Sequence, residues 1–293
     1  MEHLAAERAT YDASVAHLAP LTSALREEAT ARVPAASRSA AVRRTRFSYY
    51  TDYPAGRDYP QLIRKRVLDS NDEMHLMLDF DALAEGADYL DWAYATVSPD
   101  ENLLAYAVDT TGDEVFRLRF RDLRSGRDLD DAIERCYYGG AWSADSEEFL
   151  YTVHDDAYRP FQVWRHRLGT PVSADTLILE EPDEAFEVTV RATRSGGAII
   201  VWSESNSTSE CWWLDPSDAT AAPRSIGGRR HGVRYHAEHR VGFPGQELLI
   251  VTDDDAVEHR LMSAPIPPRT TLFPSPSRIT SSPPVAASVS VVS

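Results

Sequence analysis

Three groups of residues have types that could do chemistry. His231, His236 and His239 crowd the segment Arg229-Arg230-His231-Gly232-Val233-Arg234-Tyr235-His236-Ala237-Glu238-His239, and imidazoles so close together invite a metal reading. Zinc needs donors that converge, with an open position if it is catalytic. The three-residue step from His236 to His239 converges only on a helix, the surroundings are β-rich, and the neighbouring arginines repel a dication. His154, Asp155 and Asp156 offer a base beside an orienting carboxylate, yet they fall between two apolar runs, where polar turn residues are expected. The acid-rich stretch from Asp69 to Asp91, with Asp79, Asp81, Glu85 and Asp88, could supply a general acid and base only at a defined carboxyl separation. A solvated connector is the plainer expectation.

Trp92, Trp142, Trp164, Trp202, Trp212 and Trp213 could form a stacking surface for sugars, but aromatics recurring at strand positions are expected to pack between sheets. Cys136 and Cys211 stand far apart in sequence with no second cysteine at finger spacing, so buried thiols are expected rather than a disulfide framework or a zinc site. No Gly-x-Ser-x-Gly turn occurs in the 293 residues, and acyl transfer by a hydrolase serine needs that strained elbow. No catalytic residue, cofactor-binding residue, metal ligand or cofactor is assigned.

The elements that would have to position any site change character twice. Residues 1–46 hold a helical pattern, with Leu4, Val15, Leu18, Leu21 and Leu25 among good helix formers, then a connector after Pro34. Pro20 is expected to divide the helix, and its apolar side needs a surface to cover. From Phe47 to Ala264 the chain alternates short β-rich runs with Pro, Gly, Asp and Ser turns. Five pairs of runs recur: 47–50 with 61–66, 103–108 with 115–120, 149–153 with 161–168, 198–202 with 211–214, and 248–252 with 258–262. Turn markers at Ser98, Ser143, Ser195 and Gly245 advance by 45, 52 and 50 residues, the spacing of four-stranded propeller blades. A β-sandwich is the rival, and it does not call for one turn-strand-strand unit at such even steps. Apolar residues on both sides of a strand fit blades covered on both faces. Residues 265–293, rich in Pro and Ser, are expected to be a disordered tail.

The formal net charge of −16 argues against nucleic acid, whose phosphates require clustered Lys and Arg. It favours basic peptides, which a negative field concentrates. No apolar run approaches a membrane span, and the start of the chain has no secretory pattern; a cytoplasmic protein is expected.

Several segments in order resemble oligopeptidase B within the prolyl oligopeptidase family: Val97-Ser98-Pro99-Asp100, Val108-Asp109-Thr110-Thr111-Gly112-Asp113-Glu114, Tyr137-Tyr138-Gly139-Gly140-Ala141-Trp142-Ser143-Ala144-Asp145, Tyr158-Arg159-Pro160-Phe161-Gln162-Val163-Trp164, and Arg229-Arg230-His231-Gly232-Val233. The resemblance spans about residues 1–262. It implies an all-β fold, an incomplete seven-bladed β-propeller preceded by N-terminal α-helices, that gates access of short peptides to a Ser-Asp-His hydrolase domain cleaving after Lys or Arg. Without that domain the chain is expected to be inactive alone. Five units against seven imply an open ring whose unpaired edges favour self-association. The alternative is a free-standing propeller that binds peptides or proteins.

Overall fold

The structure is a computed structural model that describes residues 2–68, 73–218, 220, 222–241 and 247–267. Two compact units form, one up to Glu85 and one from Gly86.

The first unit opens with helices α1 (Glu2–Val15) and α2 (Ala19–Arg32), joined by a single 3-10 turn at Ala16–Leu18. The division expected at Pro20 falls just before it. Pro20 sits in the first turn of α2, where its missing N–H would have had no helical partner anyway. Neither helix buries a residue. The connector holds two-residue strands β1 (Ser37–Arg38) and β2 (Val42–Arg43), both paired to β3 (Phe47–Tyr53), which continues antiparallel to β4 (Gln61–Arg66) and β5 (Met74–Asp79). The short helix α3 (Phe80–Ala84) follows.

The second unit holds β6 (Asp91–Val97), β7 (Leu103–Asp109), β8 (Phe116–Asp122), β9 (Arg127–Trp142), β10 (Glu148–His154), β11 (Pro160–Arg167), β12 (Thr176–Glu180), β13 (Glu187–Ala192), β14 (Ile199–Glu204), β15 (Ser209–Leu214), β16 (Arg224–Ser225), β17 (Tyr235–Arg240), β18 (Glu247–Thr252) and β19 (Arg260–Pro265). They fall into four antiparallel blades. The long β9 pairs first with β8 and then with β10, so one strand closes the first blade and opens the second. The third is β13 to β16 and the fourth β17 to β19. The expected strand pairs are the central hairpins β3–β4, β7–β8, β10–β11, β14–β15 and β18–β19.

Three apolar layers separate these blades. Phe116, Phe120, Trp142 and Phe149 fill the first, Leu150, Val163, Val190 and Val201 the second, and Ile200, Trp202, Trp213 and Tyr235 the third. Strand β14 shows why alternation fails: Ile199 and Val201 face the second layer, Ile200 and Trp202 the third. A strand buried on both faces needs apolar side chains at every position.

The turns repeat a small piece of polar chemistry. The Ser98 hydroxyl donates to Asp100 (2.6 Å) and accepts from the Leu103 N–H (3.0 Å); Ser143 does the same with Asp145 (2.6 Å) and Glu148 (2.9 Å). In the third blade the equivalent hydroxyl is Thr193, which accepts from Ala198 N–H at 3.2 Å and meets Ser195 at 3.1 Å. Thr193 is therefore the true register mark, not Ser195. The third residue past each hydroxyl, Glu101, Ser146 or Gly196, has positive φ. The fourth marker, Gly245, lies outside the described residues. So does the expected tail, apart from 265–267, where Pro265 ends β19, Ile266 packs on the third layer and the Pro267 carbonyl accepts from Arg224.

Candidate functional site

A cavity of about 650 Å³ opens in the second unit where β9 passes from the first blade to the second. Its position follows from Gly139. That residue has φ +103°, and a Cβ there would lie 2.7 Å from the Thr189 hydroxyl. Only glycine lets β9 come this close to β13, and the approach sets Tyr137 and Tyr138 over the start of the third blade. Glu187 and Thr189 on β13 are paired directly with Glu204 and Trp202 on β14, so all four share one face. Pro160, Ser205, Asn206 and Arg234 complete the wall.

Charge in the cavity is unevenly compensated. Arg234 is engaged by Asp253, which takes its backbone N–H at 2.7 Å and its Nε at 3.4 Å. Among the described residues the one ion-pair partner of Glu204 is His236, at 3.8 Å between half-exposed side chains. Burial, with the carboxylates of Glu114 and Glu187, pushes the Tyr137 phenol above its ordinary range; the Tyr138 phenol moves the same way through burial, Glu114 and Asp91. Their rings meet edge to face at 5.0 Å. Such a wall is a hydrogen-bonding and electrostatic surface for a polar ligand, with no nucleophile-base pair.

The residues singled out in the sequence do not assemble. His231 lies in an exposed turn, His236 is exposed on β17, and His239 is buried with Nδ1 2.8 Å from the Ser195 hydroxyl. No cluster of three potential ligands occurs among the described residues. His154 departs from the turn expectation: it ends β10, is 4% exposed, and stacks on Tyr158 with its Nδ1 2.7 Å from the Asp155 carbonyl. The Asp155 carboxylate binds Arg159, and Asp156 is exposed beside Arg135. The acidic stretch is more than a connector. Asp79 ends β5, caps α3 by accepting from Asp81 and Ala82 N–H groups, and binds Arg57 and Gln61. Burial alone would raise its carboxyl, but these hydrogen bonds and Arg57 hold it below the usual range. Trp142, Trp202 and Trp213 are core, and Trp164 and Trp212 pack against core. Cys136 and Cys211 are buried free thiols, which burial pushes up.

Two polar networks escaped the sequence reading. His166, 1% exposed, has Nδ1 2.8 Å from Asp175 and Nε2 3.1 Å from Asp131, while Tyr151 donates to Asp175 at 2.7 Å. Glu181, 3% exposed, binds Arg229 and Ser203, and Arg159 donates to the carbonyls of Glu181, Asp183 and Phe186. These hold the 181–186 connection between the second and third blades. The segments Tyr158-Arg159 and Arg229-Arg230 were visible as motifs, but strand spacing carries no signal for partners tens of residues away.

The chain is similar to several known proteins. Protease 2 of Moraxella lacunata is 30% identical over 272 residues, 91% of this chain and 39% of its own. Dipeptidyl aminopeptidase BI of Pseudoxanthomonas mexicana is also 30% identical, across 90% of this chain and 38% of its own. Oligopeptidase B from Leishmania major superposes with a TM-score of 0.80 at 25% identity, over 90% of this chain and 37% of that one, and the Trypanosoma brucei enzyme, solved with covalently bound antipain, with 0.77 at 27%. The chain thus spans about two fifths of the length of these relatives. Residues 1–279 match the family described as prolyl oligopeptidase, N-terminal beta-propeller domain, and with blades, turns and neighbours in agreement, the chain belongs to that family.

Proposed function

We propose that this chain is the substrate-admitting propeller of an oligopeptidase B-type serine peptidase, which passes short peptides to a hydrolase domain cleaving after Lys or Arg. The observation that carries this reading is the likeness to oligopeptidase B over nine-tenths of the chain, at a TM-score of 0.80. The acidic balance of −16 supports basic peptides as the cargo, because a negative surface raises their local concentration. The 293 residues hold no Gly-x-Ser-x-Gly elbow, so the role of this part is selection and the bond is broken elsewhere. The purified chain is expected to leave an arginyl chromogenic peptide intact and to resist labelling by a serine-directed fluorophosphonate. Turnover accompanied by labelling would overturn the assignment. Among the described residues no helix is long and apolar enough to cross a membrane.

A further inference from the structure

We propose that the turn joining β2 to β3, together with the end of β4, forms an oxyanion site in which Thr45, Arg46 and Arg66 hold the phosphate group of a small ligand. The site lies within the first unit and does not depend on the peptidase reading above.

Charge is unevenly spread along the chain. The whole carries −16, yet residues 43–66 hold seven Lys or Arg against two Asp. Arg57 is engaged by Asp79 and Asp81; the other six cations fall on β2, the turn after it, and β4. Strand register draws them together. Phe47 is paired directly with Arg66 and Tyr49 with Arg64, so these four share one face. The guanidinium carbons of Arg64, Arg66 and Arg46 lie 4.1, 5.2 and 5.8 Å from the centroid of the Phe47 ring. The ring attracts each cation, but three like charges gathered around it repel one another. An anion held among them turns that repulsion into attraction.

Shape agrees with charge. A cavity of about 350 Å³ is lined by Thr45, Arg46, Arg66 and Leu68. The Arg44 N–H donates to the Phe47 carbonyl at 2.9 Å and the Val67 N–H to the Arg46 carbonyl at 2.9 Å. These bonds fix the turn against the end of β4 and set Thr45 and Arg46 beside Arg66, over a Phe47 ring that is 4% exposed. Among the described residues the side chains of Thr45 and Arg66 make no hydrogen bond or ion pair, so their donors remain for a ligand. A guanidinium offers donors in a planar fork that matches an oxyanion, and the hydroxyl adds one from another direction. Phosphate suits the local surplus better than a carboxylate, because it brings close to two negative charges and three acceptor oxygens. The volume is at the lower end of the range of small-ligand sites, enough for a phosphate with the group that carries it. One phosphate is also a different ligand from the polyanion that the overall acidity disfavours.

The test is titration calorimetry of the full chain at low ionic strength with inorganic phosphate, acetate, and a neutral-capped tripeptide carrying a central phosphoserine. Phosphate is expected to bind at one site, at least about tenfold more tightly than acetate, which is the scale of one charged hydrogen bond. Arg66→Gln is expected to weaken phosphate about tenfold, and Arg46→Gln added to it to weaken it further. Both side chains are exposed, so the variants should melt as the parent does. Arg66→Lys keeps the charge without the fork and should fall between Arg66→Gln and the parent. Arg127→Gln, at an exposed arginine of the second unit, should leave binding unchanged. Tighter binding of the phosphopeptide than of inorganic phosphate identifies a phosphorylated peptide as the ligand, and equal or weaker binding identifies free phosphate; either result requires the site. No phosphate binding at millimolar concentration, acetate bound as tightly as phosphate, or the same affinity in Arg66→Gln as in Arg127→Gln would each overturn it.

Discussion

The helices α1 and α2 and the junction of the first two blades of the second unit are both well-formed regular structure, but opposite forces make them. Twenty-eight helical residues bury nothing; they are helical because Ala, Leu, Glu and Arg favour it. Around Phe149 almost nothing is left to propensity. That ring is fully buried, 5.1 Å from Trp142, 5.6 Å from Phe120 and 6.0 Å from Tyr94. Burial decides stability in one region and local preference in the other, so equal-looking substitutions should have very unequal costs.

The sharpest contrast comes from the blade junction. Phe149→Ala removes a ring from a closed aromatic cluster and is expected to destabilise the second unit by about 3–5 kcal/mol, read by denaturant unfolding. Gly140→Ala attacks the same contact from the other side, because the added Cβ would sit 2.5 Å from the Phe149 ring. Neither the buried ring nor the paired strand can give way cheaply, and a loss of about 1–3 kcal/mol follows. If both changes cost under about 0.5 kcal/mol, the packed layer is not what holds the blades together.

Next in size is a polar tie between blades. Burial works to raise the Glu181 carboxyl, but Arg229, Ser203 and the Asp183 N–H outweigh it, so the group titrates below the ordinary glutamate range. A carboxyl depressed by folding contributes stability that is complete above its unfolded pKa of about 4.3 and disappears as pH falls through the lower folded value. Glu181→Gln is expected to cost about 1–3 kcal/mol at pH 7, with Arg229 softening the loss because it is 28% exposed and can be hydrated. The difference between variant and parent should shrink below about pH 4. A pH-independent difference would mean that shape and not charge is responsible.

This difference between regions also explains what the sequence made legible. Two of the five hairpins, β7–β8 and β10–β11, are announced by residues whose chemistry is local: a hydroxyl at Ser98 or Ser143, its aspartate two residues on, and a strand beginning at the fifth; the others could be read from their paired apolar runs. The inner strands β13 and β17 are as long as the strands beside them, and were hidden because polar and charged residues interrupt their apolar positions. The double role of β9 was hidden for another reason. Arg135 and Gly139, both with positive φ, redirect a continuous strand from one blade to the next, and an arginine gives no warning of that. His166 with Asp131 and Asp175, and Glu187 with Glu204, are partners fixed by register across strands. Spacing along one chain cannot reveal such pairs, whereas the resemblance in 137–145 did mark the segment beside the cavity without saying what it meets.

The smallest effect should come from the helices, and it tests the comparison from its weak side. Leu21 is 56% exposed in α2, so Leu21→Ala removes little buried area and places the best helix former in its stead. The expected change in stability is within about 0.5 kcal/mol in either direction. Hydrogen exchange should agree: amides of α1 and α2 are expected to exchange much faster than those of β7, β10 and β14, since helices of 14 residues without tertiary burial are marginal in water. Strong protection of α2, or a loss above about 1 kcal/mol for Leu21→Ala, would mean that the helical face is covered in solution. Its apolar residues would then be doing for a contact surface what Phe149 does for the blades.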